Sequence, residues 1–109
     1  MEIKSAVTLL AALAQETRLS VFRLLVEQGT DGLPAGQIAE RLDISPATLS
    51  FHLKELTHAG LTLSRQEGRF VLYSAHYEAM NGLLSFLTEN CCAGSPCDAT
   101  ASACAPSKR

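Results

Sequence analysis

DISPATLSFHLKELTHAG, residues 43–60, carries both the start and the stop of one helix. Ser45 supplies a side-chain oxygen for the amides of the first turn, and Pro46 follows at the position where a missing N–H is no loss. Leu49, Leu53 and Leu56, spaced i, i+4 and i+7, form one inward stripe, and Gly60 ends the run. Just upstream, AGQIAERL (residues 35–42) places Ile38, Ala39 and Leu42 on one face of a shorter helix. Only DIS, residues 43–45, separates the two, which predicts a helix-turn-helix. With the leucine stripe facing inward, the helical period turns Ala47, Phe51, Lys54 and His58 outward, flanked by Thr48 and Ser50. His52 falls nearer the buried side.

Working outward from this unit, LTLSRQEGRFVLYSA (residues 61–75) alternates apolar and polar residues on either side of QEG, the pattern of a β-hairpin. GTDGLP, residues 29–34, is a loop by its Gly, Asp and Pro content. Before it, Leu19, Val21, Phe22, Leu24, Leu25 and Val26 predict a helix from about residue 16 to Gly29. Ile3, Ala6, Val7, Leu10, Ala11 and Leu13 predict another at the start of the chain, and Met80, Leu83, Leu84 and Leu87 a last one after the hairpin. The fold class expected is mainly α with a small β-hairpin: a winged helix-turn-helix with an extra helix at each end. Both end helices are more apolar than a small core requires, so they are expected to pair two subunits across a two-fold axis as a homodimer. Residues 1–90 then make one DNA-binding and dimerisation domain, and residues 91–109 a flexible cysteine-rich tail.

A chain of 109 residues fits one domain, and 47% hydrophobic with 18% charged residues suits a folded body with apolar surface to spare. The absence of Trp leaves little for a sugar- or base-stacking site. No apolar run spans a bilayer, and AVTLLAALA lacks a basic segment before it, so a cytoplasmic location without membrane association is expected. A net charge of −2 and a pI near 5.9 argue against indiscriminate nucleic-acid binding, so double-stranded DNA must be met by local placement of groups. Thr48 and Ser50 offer hydroxyls, Lys54 a charge, and the helix N-terminus a phosphate site. Arg65 and Arg69 flank the hairpin turn, where both are expected to reach the DNA backbone or minor groove; an ordinary solvated hairpin explains those two arginines equally well.

LAALAQETRLSVFRLLVEQG, GQIAERLDISPATLSFHLKELTHAGL and SRQEGRFVLYS together resemble the ArsR/SmtB family of metal-responsive repressors, over roughly residues 9–87. The resemblance implies a winged-helix homodimer that blocks transcription when metal-free and leaves its operator when an inducer binds. It also implies that Thr48, Ser50, Phe51 and His52 enter the major groove, which for His52 conflicts with the helical wheel. Two familiar sensor sites of the family are missing. The helix before the recognition helix, DGLPAGQIAERL, has no cysteine, and the last helix offers His76, Glu78 and Glu89 without the second His that zinc sensors carry.

The four cysteines, Cys91, Cys92, Cys97 and Cys104, all lie in the last fifth of the chain. In a reducing compartment such a cluster points to metal ligation or redox chemistry rather than a disulfide framework. Thiolates select soft ions, and trivalent arsenic or antimony takes three sulfurs in a pyramid. Cys91, Cys92 and Cys97, with a Gly-Ser-Pro turn between, fit that requirement, which leaves Cys104 over. The tail also resembles arsenite-responsive members of the family with a vicinal Cys pair and one further Cys at the C-terminus. The inducer expected is therefore trivalent arsenic or antimony, with derepression of arsenic-resistance genes; methylated arsenic would need only Cys91 and Cys92. Zinc or cadmium, recruiting Cys104 or His76 as a fourth ligand, and a thiol redox switch remain as alternatives on the same fold. An enzyme is not expected, since a thiol oxidoreductase or a metal store would lack both a Cys-x-x-Cys motif and a use for the winged-helix body.

Overall fold

The structure, a computed structural model, describes residues 1–94. Five α-helices and three short strands follow in the order α1 (Ile3–Leu13), α2 (Glu16–Gln28), β1 (Leu33–Pro34), α3 (Ala35–Leu42), α4 (Pro46–Ala59), β2 (Thr62–Glu67), β3 (Phe70–Ala75) and α5 (Tyr77–Leu87), with a 3₁₀ turn at Cys91–Gly94. This is a winged helix-turn-helix, as the sequence predicts. Among the described residues no helix is long and apolar enough to cross a membrane.

The core gathers one face from nearly every element: Ala6 and Leu9 of α1, Val21, Phe22 and Leu25 of α2, Ile38 and Ala39 of α3, and Leu83 of α5. The stripe of α4 sits at its centre, with Leu49, Leu53 and Leu56 at 1%, 2% and 0% exposure. Burial of such leucines stabilises by about 1.5–3 kcal/mol each, enough to fix the rotation of α4 about its axis. The turn into α4 is tightened by Asp43, whose left-handed backbone (φ 56°) lets Ile44 N–H close on the Ala39 carbonyl at 3.1 Å. Tyr77 ties α5 to the end of α2, its hydroxyl donating to the Val26 carbonyl at 2.7 Å.

Two features of the sheet depart from the sequence expectation. The loop before α3 contributes β1, which makes the hairpin a three-stranded antiparallel sheet in the order β1-β3-β2. Two residues are too few to show a periodicity, and Pro34 is tolerated because β1 is an edge. Gly32 makes the approach possible: at φ +79° any Cβ there would lie 2.7 Å from the Tyr73 carbonyl oxygen. The second departure is the turn itself. Gln66 and Glu67 remain in β2, paired with Val71 and Phe70, and the reversal falls on Gly68–Arg69 with Gly68 at φ +61°. A two-residue loop with glycine first matches the twist of the strands it joins.

Candidate nucleic-acid interface and thiol site

α4 begins with a well-made cap. Ser45 Oγ accepts from the Thr48 amide at 3.2 Å and donates to Thr48 Oγ1 at 2.9 Å. The Thr48 side chain is thereby oriented before any ligand arrives. Ala47, Thr48, Ser50, Phe51 and Lys54 are all exposed on the side of α4 away from the leucine stripe. Between α4 and the sheet runs an open, mainly apolar cleft of about 530 Å³, floored by Leu53 and bordered by Ser50, Lys54, Thr57, His58, Ser64 and Tyr73. Hydroxyls, an ammonium and an imidazole on facing walls suit a sugar-phosphate strand, since phosphate contacts set the register of a protein on the duplex.

His52 does not join this face. It is 8% exposed, and its Nδ1 lies 3.3 Å from Arg18 Nη1. A guanidinium only donates, so Nδ1 is the acceptor and the neutral ring carries its proton on Nε2. Burial first, and then the Arg18 charge, push the His52 pKa below the usual imidazole value, against a smaller opposing pull from Glu55. The family resemblance implies entry of His52 into the groove; here the imidazole is turned into the fold, as the helical wheel has it.

Arg18, by sequence a polar residue of the first turn of α2 or of the junction before it, takes a larger part here. Its Nε donates to the Ala12 carbonyl at 2.7 Å while Nη1 holds His52, so one side chain joins the end of α1 to the recognition helix. Its own amide bonds the Gln15 side chain at 2.8 Å. A cation in the first turn of a helix opposes the helix dipole. That misfit was the signal of a partner elsewhere.

The wing arginines diverge. Arg65 donates from Nε to Glu67 at 3.1 Å, from Nη1 to the Thr30 carbonyl at 3.1 Å and from Nη2 to the Asp31 carbonyl at 2.9 Å. It braces the wing against the α2–β1 loop while the side chain stays 44% exposed. Arg69 stands exposed at the wing tip.

At the other end of the molecule, α5 closes at Thr88, and Cys91 and Cys92 follow in the 3₁₀ turn, Cys91 half-buried and Cys92 exposed. Asn90, Cys92 and Ala93 all have left-handed backbones with φ near 58°. Cys97 and Cys104 lie outside the described residues. Among the described residues no group of three His, Cys, Asp or Glu side chains comes together as a metal site. His76, at the start of α5, points its Nδ1 to the Gly60 carbonyl at 2.9 Å, with Glu78 3.9 Å from Nε2.

Comparison with known proteins follows the same outline. A helix-turn-helix domain family matches residues 13–65. The arsenical resistance operon repressor of Bacillus subtilis is 33% identical over 81 residues, covering 74% of this chain and 73% of that protein. The chain belongs to the ArsR/SmtB family. The transcriptional activator HlyU of Vibrio cholerae is 33% identical over 82 residues, covering 75% of this chain and 73% of that relative. The aligned stretch spans only 57% of the length of another relative, the Bacillus subtilis regulator YceK, at 40% identity. An ArsR-like transcriptional regulator from Rhodococcus sp. RHA1 superposes with a TM-score of 0.69 at 30% identity, covering 77% of this chain and 76% of that one. The homodimeric winged helix-turn-helix domain Mb0332 of Mycobacterium bovis does so with a TM-score of 0.65 at 26% identity, covering 81% and 82%. The relatives thus include a repressor and an activator, both of them transcriptional regulators.

Proposed function

We propose that this protein is a cytoplasmic homodimeric repressor that holds operator DNA through α4 and the wing and releases it when trivalent arsenic or antimony binds Cys91, Cys92 and Cys97. Derepression of arsenic-resistance genes follows. The observation that carries the reading is the position of the vicinal thiols Cys91 and Cys92, one turn beyond α5. On that helix Leu84 and Leu87 are exposed, as are Ile3, Val7 and Leu10 on α1, which packs against it. An outward apolar face on both end helices suits a second copy of the chain, and the homodimeric relative supports it. Adjacent cysteines strain to bond each other but readily share one large soft ion. An ion gathering Cys91 and Cys92 with Cys97 would reorganise the left-handed segment at the end of α5, and so the dimer that spaces two copies of α4.

Coupling of this kind is reciprocal: operator DNA must weaken inducer binding by the factor by which the inducer weakens operator binding. Calorimetric titration of reduced protein with arsenite, with and without its promoter fragment, is expected to give a lower affinity in the presence of DNA. Equal affinities would refute the coupling. Release by mild peroxide alone, reversed by reductant, would instead support the redox alternative, and release by zinc or cadmium alone a divalent-metal sensor.

A further inference from the structure

We propose that Phe51 reads thymine, its ring covering the 5-methyl group of one thymine in each half-site. The inference rests on the operator-binding reading above and names the base recognised there. Phe51 is 56% exposed, the large apolar residue that α4 leaves in solvent; the others on helices belong to α1, α2 and α5. It stands between Ala47 and Thr48 on one side and Lys54 on the other, on the face opposite Leu49, Leu53 and Leu56. From beneath, the ring is met by His52, centroids 5.2 Å apart and planes at 68°. His52 is itself held by Arg18. The phenyl group is therefore supported from inside the fold and presented outward.

A phenyl ring has no donor or acceptor, so it adds nothing to the polar code of the base edges. Stacking would need an opened base step, which apolar wedges achieve from the minor groove. A side chain on a helix in the major groove meets base edges instead. The apolar group on those edges is the thymine methyl, and contact with it by apolar side chains is an established mode of readout. Ala47 and the methyl of Thr48 offer a smaller apolar surface to the same group, while Ser50 and Lys54 are suited to phosphates and to the polar edges of bases; Phe51 presents the largest exposed apolar side chain of α4 and is assigned the contact.

The test replaces each thymine of the protein's own promoter fragment in turn by deoxyuridine, which removes the methyl and keeps the pairing. Binding is followed by fluorescence anisotropy with wild-type protein, Phe51→Ala and Phe51→Leu. At one position per half-site, deoxyuridine is expected to weaken the wild type about fourfold, the worth of one buried methyl. Phe51→Ala should bind the thymine fragment more weakly and be indifferent to deoxyuridine, while Phe51→Leu keeps part of the sensitivity. An unchanged melting temperature of both variants excludes a folding defect. The proposal is overturned if the wild type binds every deoxyuridine fragment as tightly as the thymine fragment, or if Phe51→Ala retains the full sensitivity. No binding of the unmodified fragment by wild-type protein overturns the operator reading itself, and this inference with it.

Discussion

The start of α4 and the end of α5 are both helix termini, and the chain finishes them in opposite ways. α4 starts with a Ser cap, a Pro at its first position and a threonine hydroxyl already bonded to the cap. α5 ends without glycine, and Asn90, Cys92 and Ala93 then take left-handed backbones. Such a conformation costs roughly 1–2 kcal/mol for residues such as Cys92 and Ala93, while Asn adopts it more readily. A terminus that must present side chains to a fixed DNA groove gains from being complete before binding. One that answers a ligand gains from having a conformation the ligand can change. The first end is closed by a side-chain cap, the second by backbone and Thr88 hydrogen bonds that lead into left-handed residues.

Substitutions at the two ends should therefore differ in kind. Leu53→Ala removes the centre of the α4 stripe and should destabilise by about 2–5 kcal/mol in urea unfolding. A loss below about 1 kcal/mol would mean that α4 is not anchored by its stripe. Ser45→Ala removes the cap and should lose about 1 kcal/mol, weakening DNA binding without touching the inducer affinity.

A smaller effect belongs to pH. Because the folded pKa of His52 is lowered, the unfolded chain takes up that proton first as pH falls. The His52 contribution is fully present above the unfolded imidazole value of about 6.5 and is lost as pH drops from there through the folded value. His52→Gln keeps an acceptor for Arg18 but cannot titrate, so its stability should fall less steeply between pH 7 and pH 5 than that of the wild type. Parallel curves would show that burial and Arg18 together do not lower the imidazole pKa in the fold. Smallest of all, Cys92→Ser should shift stability by no more than about 0.5 kcal/mol while abolishing the inducer response. A large destabilisation there would make Cys92 part of the folded framework and erase the contrast between the two ends.

The sequence made α4 legible because three leucines, a cap and a terminal glycine all agree on one helix, and its outward residues follow from that orientation. It was silent where a side chain's partner is distant in the chain. Arg65 reads as a wing cation, and its guanidinium also donates to carbonyls 34 and 35 residues away. His52 reads as a groove residue by resemblance, yet it accepts from Arg18, also 34 residues away. Period-2 alternation located β2 without saying which face turns in. Thr62 is buried, bonded to Thr57 at 2.8 Å, while Leu63 is exposed. The thiol reading rests on residue type and spacing rather than on geometry, since Cys97 and Cys104 lie outside the described residues.

The most direct measurement of the central claim is fluorescence anisotropy of the reduced protein on its labelled promoter fragment, titrated with arsenite and antimonite, for the wild type and for Cys91→Ser, Cys92→Ser, Cys97→Ser and Cys104→Ser. The account predicts release of the wild type and of Cys104→Ser, with the other three variants bound throughout. Release of Cys91→Ser and Cys92→Ser at wild-type concentrations of metalloid would contradict it.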